Sequence, residues 1–585
     1  MKTVMALQSA HGRRFHLVAF LTLICCLASP LAAQQKAASS WDAFAGLATD
    51  FWAWRAHYQP FSGDDIPRIE RPGGTRDWSA ASIAKQRADL DRFEKQWKAI
   101  DPTGWSVSQQ VDYRLIGSAI ARVHWELDIT RRWERDPTFY VEQTVTPLLE
   151  ALTPPPPLGP SRSAELLARM QNIPSILAQG ETNLRPLGPF ARLAISGLEP
   201  IRAELEEVQR EVGPMLQGEN GGAGTRAQEF QKATEAAISA LEDYRDWLRQ
   251  RLASMPEQTA IGRANYQFFL THVALLPFTP EQLLAISRQE WDRAVAFEQY
   301  EKQRDQSLPE LKPAANLDEQ LQNTTRDELA IRRFLEEKAI LTVPPELQHY
   351  TVRALPGYLK VLSDFGELDY LTGPSRLNED GVRWTAPPSP QLGYFALSAT
   401  LDPRPLIVHE GVPGHYFQLC ESWRHEDRIR RHFYDSSANE GIGFYAEEMM
   451  MQAGLFDDSP RTREIIYSFM RLRALRVEVD VKLALGLFTM EQAAEYLQQH
   501  VPMDKGTAGQ EAAFFATGPG QAISYQIGKY QIMRFLADAK LEQGDKFSLR
   551  DFHDFVWKNG NVPIALQRWE YLGKDDDIRV LDQQR

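Results

Sequence analysis

The sequence predicts a mainly α-helical protein, and three observations carry that prediction. Apolar residues recur at helical spacing almost without interruption from Trp41 to about Thr342. Loops rich in Pro and Gly, such as Pro154 to Pro157, separate one apolar stripe from the next. One short run, Gly393 to Ser398, reads as a strand.

A chain of 585 residues can bury a large core and has room for more than one domain. With 43% hydrophobic and 24% charged residues it has the composition of an ordinary globular protein, which excludes the fibrous and disordered classes. Its net charge of −13, with no long basic block in the mature region, argues against a nucleic-acid partner.

Residues 1–33 stand apart. Lys2, Arg13 and Arg14 precede an apolar run from Leu17 to Leu27, followed by small residues up to Ala33. That is the order of an export signal cut near Ala33, and the run is short for a membrane span. The mature chain is therefore expected to be periplasmic or secreted, without a stable span. Lipid anchoring at Cys25 or Cys26 is the weaker alternative, because the residues before each are poor matches to a lipidation site. Loss of both with the signal leaves Cys420 alone, so no intramolecular disulfide is expected and Cys420 should pack as a small hydrophobe.

In chain order, Ile83, Leu90, Phe93, Trp97 and Ile100 mark one helix, closed by Pro102. Ile201, Leu205, Val208 and Val212 mark another. Phe230, Ala237, Leu241, Tyr244 and Leu248 mark a third, after the Gly-rich stretch Gly218 to Thr225, which reads as a loop between antiparallel helices. Between Val343 and Thr400 Gly and Pro become frequent. A strand at 393–398, carrying Tyr394 and Phe395, would let an extended peptide substrate pair with its edge; a plain hairpin is the alternative. Later come a helix with Phe469, Leu472, Leu475 and Val479, one opened by Thr517-Gly518-Pro519-Gly520, and one from Ser548 to Gly560 with a capping-box pattern at Ser548 and Asp551. These divide the mature chain into a helical region, 34–345, and a catalytic region, 346–585, read together as one continuous domain.

The chemistry concentrates in Leu406 to Gln418, LIVHEGVPGHYFQ. Two His beside a Glu are the makings of a zinc hydrolase, but the usual H-E-x-x-H puts the His one helical turn apart. Here His409 and His415 are six positions apart. At about 100° per residue, a straight helix would point them roughly 120° away from each other. Pro413 and Gly414 permit a bulge of the backbone that brings His415 back to the metal face. Glu440, opening EGIGFYAEE, is placed for a second helix to present as third ligand, with Glu447 two turns on along the same face. A buried histidine pair with a capping Glu is the non-metal alternative, and for Glu440 an acidic residue at a helix N-terminus.

The segments HEGVPGHYFQ, EGIGFYAEE, RLRALRVEVDVKLALG, GPGQAISYQIG and DKFSLRDFHDFVWKNGNVPI resemble, in order and spacing, the bacterial family called domain of unknown function 885. Similar texture, including RRWERDPTFYV, extends the likeness back to about Trp41. That family is grouped with the zincin metallopeptidases. The resemblance implies a large helical zincin-like metallopeptidase fold with a small antiparallel β-sheet beside the metal cleft. Carried over by motif, it makes His409, His415 and Glu440 ligands of one Zn2+ ion and Glu410 the general base. Tyr525 is the candidate oxyanion donor, by analogy with tyrosines of related zinc peptidases; a buried aromatic is its alternative. Arg476 and Asp480 read as an i, i+4 ion pair or as support for a ligand histidine, and Glu447 as a further supporting carboxylate. His425 and His432, among Arg424, Arg428, Arg430 and Arg431, read as a solvated basic face.

The expected function is thus an exported zinc-dependent hydrolase acting on peptides. The alternatives are a non-catalytic helical scaffold with a structural or absent metal, and a zinc hydrolase of other amides or esters.

Overall fold

Helix ends fall where short polar side chains and prolines can satisfy the first free N–H groups. Ser79 caps the helix Ala80–Ala99 by accepting from Ser82 N, and Ser106 caps Val107–His124 through a reciprocal box with Gln109. Thr279 does the same for α1 (Pro280–Asp305). The computed structural model describes residues 40–61, 76–217, 223–366 and 368–584, and these are mainly helical. The expected export signal, with Cys25 and Cys26, lies outside the described residues.

The apolar stripes read from the sequence become helix faces that meet. Ile201–Val212 and Ala223–Arg251 pack together, burying Leu205, Val208, Leu241 and Tyr244. Most of the expected loop at Gly218 to Thr225 lies outside the described residues, but Gly224 and Thr225 belong to the second helix. Another core joins the two ends of the described chain: Phe44, Phe93 and Leu115 pack with Val562, Leu566 and Leu581.

Two expectations are corrected. Residues 393–398 are not a strand: Gly393 is the extended residue ahead of α2 (Tyr394–Leu401), and 394–398 lie within that helix. Apolar residues fill both faces of this segment, so alternation carries little information, and Asp504 decides the matter by accepting from Tyr394 N at 3.2 Å. The sheet lies elsewhere and is mixed rather than antiparallel. β1 (Tyr350–Ala354) runs parallel to β3 (Gly381–Thr385), whereas β2 (Asp369–Tyr370) pairs antiparallel with β3, with Asp369 opposite Arg383. The long excursion between β1 and β3 gives the chain room for a parallel return that a hairpin could not make.

Five further helices frame the site. They are α3 (His415–Arg424), α4 (Ser436–Gln452), α5 (Pro460–Ala484), α6 (Ser524–Gln543) and α7 (Leu549–Lys558). In α7 Ser548 accepts from Asp551 N, one half of the expected capping box. α1 lies along α5, and α4 along α6. The α4–α6 contact is close because Gly441 faces Gly528: a Cβ on Gly528 would sit 1.9 Å from the Ser437 carbonyl oxygen. Cys420 is buried and free, in the core shared by α3 and α4.

The arginine-rich segment before α4 is only partly a solvated face. Arg430 is 4% exposed and pairs with Asp112 at 2.9 Å and with both oxygens of Glu570 at 2.8 Å. Asn559 accepts from it as well, at 2.7 Å. Burial of a guanidinium is tolerable because every face of it meets an acceptor.

Candidate metal centre

His409 sits in a π-helical turn, Ile407–Gly411, closed by Val412 N donating to Ile407 O at 2.9 Å. Val412 is extended, a cis peptide joins it to Pro413, and α3 begins at His415. The expected bulge within one helix is therefore a break between two. Proline lacks the N–H that would continue the ladder. Gly414 lies so close to the preceding turn that a Cβ there would be 1.8 Å from the His409 carbonyl oxygen. Trp557 of α7 donates its indole N–H to Pro413 O at 2.6 Å and holds the break in place.

The break turns His415 onto the same space as His409. Glu440 enters from the first turns of α4, whose N-terminus is capped by Asp435 accepting from Ala438 N at 3.0 Å. Burial pushes the Asp435 carboxyl up to about 7. The Glu440 Oε2 atom is 3.4 Å from His409 Nε2 and 3.2 Å from His415 Nε2, and the three side chains offer ligand atoms all within 4.8 Å of one another. All three residues are buried. Neither ring nitrogen makes a hydrogen bond to that oxygen, and His415 Nδ1 likewise has no partner.

The two separations from Glu440, 3.2 and 3.4 Å, are those of a tetrahedral cation site. Ligand bonds of 2.0–2.1 Å at tetrahedral angles put donor atoms about 3.3 Å apart. Two imidazoles and a carboxylate form a donor set suited to zinc. The local field agrees. Burial alone would lower His409, yet the Glu440 and Glu447 carboxylates outweigh it and push the imidazole up to about 9. Burial also works against the charge of Glu440, but the His415 and His409 imidazoles hold its carboxyl well below the usual range. Such a site favours positive charge at its centre.

Glu447 Oε1 lies 2.7 Å from His409 Nδ1. A carboxylate only accepts, so Nδ1 carries a proton, and Nε2, which faces Glu440, is the nitrogen that would give up its proton to a bound cation. Glu410, half-buried, follows His409 in the same turn. Against the cost of burial, His409, Arg383 and His415 hold its carboxyl below the usual range. Arg383 of β3 is 3.9 Å from Glu410 Oε1 and 2.5 Å from Asp369 Oδ2.

Arg476 and Asp480 do not pair with each other. Arg476 bonds Glu511 at 2.7 and 2.5 Å and lies over the Tyr525 ring at 4.5 Å. Asp480 accepts from Gly520 N, Ala522 N and the Tyr266 hydroxyl, which fixes the turn leading into α6. Tyr525 stacks its ring on His409, with centroids 6.3 Å apart. Tyr394 bonds Ser468 Oγ through its hydroxyl at 2.7 Å, and Phe395 packs on Phe469.

Sequence reasoning gave no role to Arg383, Asp369 or Trp557, nor to Arg473 of α5, whose Nη2 lies 3.1 Å from Glu447 Oε1. For Arg383 a signal existed, since Val382 and Trp384 alternate with Arg383 and Thr385 as in a half-buried strand. Nothing local marks the other three, which act across long separations.

A family model described as a bacterial protein of unknown function (DUF885) matches residues 67–569. No curated protein matches the chain. Among solved structures, one is titled "a putative lipoprotein of unknown function" from Shewanella oneidensis. It is 18% identical, with a TM-score of 0.64, covering 91% of this chain and 98% of that one. Another, titled "the putative lipoprotein" from Colwellia psychrerythraea, is 16% identical, with a TM-score of 0.71 and coverage of 94% and 99%. At these identities the likeness is one of fold.

Proposed function

The chain belongs to the DUF885 family of bacterial proteins of unknown function, and from the geometry of its buried cluster we propose that it is an exported zinc-dependent hydrolase acting on peptides. One observation supports this above the rest: Glu440 Oε2 lies 3.2 and 3.4 Å from two imidazole nitrogens and bonds neither. His409, His415 and Glu440 would hold the ion. When bound, zinc supplies Lewis-acid chemistry, acidifying water and polarising a carbonyl.

The remaining steps belong to the chain's own groups. Glu410 takes the proton of the attacking water on its carboxylate and returns it to the leaving amine. Arg383, braced by Asp369, keeps that carboxylate oriented. Tyr525 lies beside His409 and is the candidate donor to the oxygen that gains charge. A cluster of three ligand-type residues among the described residues, rather than the four of a structural zinc site, favours the catalytic class over a scaffold. The peptide class rests on the likeness of the motif to zincin peptidases. Export is supported by the charged, apolar and small-residue order of residues 1–33 and by the lipoprotein titles of both structural relatives. Among the described residues no helix is long and apolar enough to cross a membrane.

The test uses the purified full chain: zinc content, then hydrolysis of a mixed peptide library with and without a chelator. Glu410→Gln is expected to retain zinc and to lose about 10²- to 10⁴-fold in turnover. Wild-type turnover in that variant, or a wild-type chain that binds no zinc, overturns the proposal.

A further inference from the structure

Behind the candidate ligands, a buried carboxylate and a buried guanidinium meet in an unusual way. Glu447 concentrates its contacts on one oxygen. Oε1 lies 2.7 Å from His409 Nδ1 and 3.1 Å from Arg473 Nη2, while Oε2 has no hydrogen-bond partner. Arg473, in turn, leaves Nε and Nη1 without partners although it is only 5% exposed. An arginine present merely to neutralise a carboxylate would be expected to grip it with both arms of its fork. Here it approaches the single oxygen that also takes the histidine proton.

The guanidinium is held there by rings. Its carbon lies 5.1 Å from the centroids of Phe444 and Phe469, 5.7 Å from Tyr525 and 5.8 Å from Phe395. Rings on α2, α4, α5 and α6 thus surround one cation, an arrangement that fixes its position through cation–π attraction and packing. Phe395, a candidate substrate contact by sequence, is part of this cage.

We propose that Arg473 is a positioning residue of the metal site, pinning the Glu447 carboxylate so that it holds the His409 ring with Nε2 directed at the ion. The inference rests on the zinc reading above and adds to it a second link, arginine to carboxylate to histidine. Partners behind metal-bound histidines set ring orientation and basicity, and removing one commonly weakens metal binding by 10- to 100-fold.

The opposing view makes a prediction of the other sign. If Arg473 were only a nearby positive charge, deleting it would relieve repulsion and tighten the hold on a divalent cation. A competition titration of zinc against a chromogenic chelator separates the two. Arg473→Met is expected to weaken zinc binding about tenfold, and Arg473→Lys, which keeps the charge, to recover part of the loss. Unchanged or tighter binding in Arg473→Met overturns the inference.

Should Arg473→Met fail to fold, the pair Glu447→Gln and Glu447→Gln/Arg473→Met carries the test, since removing both partners strands no buried charge. Equal zinc affinity in those two variants is expected, because Arg473 acts through Glu447. A further loss in the double variant overturns the inference. A wild-type chain that binds no zinc in the same titration refutes the metal site itself, a result distinct from a zinc-binding wild type with an indifferent Arg473.

Discussion

Trp557 donates its indole N–H to the carbonyl oxygen of Pro413 at 2.6 Å, which ties α7 to the break between the two candidate histidine ligands. Both residues are buried, so neither group has water to turn to. Trp557→Phe keeps most of the packing and removes the donor. Leaving the buried carbonyl unmatched is expected to cost about 1–3 kcal/mol, read from the denaturant midpoint at constant m-value. An unshifted midpoint would show that the break holds itself.

Gly414→Ala tests the same backbone from inside. The added methyl would overlap the His409 carbonyl, a backbone atom that cannot step aside like a side chain. A loss of about 3 kcal/mol or more is expected, together with reduced zinc content. Wild-type thermal stability and full zinc loading would refute the close approach.

A pH dependence follows from Asp480. Burial pushes its carboxyl from 3.8 up to about 7, even though Gly520 N, Ala522 N and the Tyr266 hydroxyl donate to it. A carboxyl raised in the folded state binds protons there that the unfolded chain has already released. Its contribution is therefore complete below about pH 4 and fades as pH rises towards 7. The full span corresponds to about 4 kcal/mol. Asp480→Asn, which does not titrate, should lack this slope. Comparing the unfolding free energies of the two proteins from pH 4 to 8 checks it, and a constant difference across that range would falsify the assignment.

Arg430 joins the first and last parts of the described chain through Asp112 and Glu570. Arg430→Met leaves two carboxylates facing each other without a cation. The expected loss is about 3–5 kcal/mol, the usual cost of stranding buried charge. Urea unfolding that changes by less than ~1 kcal/mol would mean that water or rearrangement compensates.

Much of the site was legible because its residues announce themselves in the chain. His409, Glu410 and His415 share ten residues with the helix-breaking Pro413-Gly414, and Glu440 lies near the start of a second helix, in the first turns of α4. The helical class was equally readable, since an apolar stripe at helical period can be buried only by forming the helix. Elsewhere the reading failed for a definite cause. Arg476 and Asp480 have the spacing of a helical ion pair, yet Glu511 offers the first a two-armed partner and the Gly520 turn offers the second a set of N–H donors. Spacing creates an opportunity, and the neighbours across the interface decide whether it is taken.

The sequence by itself determined which segments would be helical and where ligand-type side chains cluster, because both depend on residues close together in the chain. Tertiary structure alone decided that residues 394–401 form a helix, that the sheet is mixed, and that Arg473 meets Glu447, Arg383 meets Glu410 and Trp557 meets the Pro413 carbonyl. Those outcomes turn on contacts between segments tens to hundreds of residues apart, such as Asp504 with Tyr394. Local periodicity carries no record of such partners, since desolvation and hydrogen-bond geometry select them only once the helices have packed.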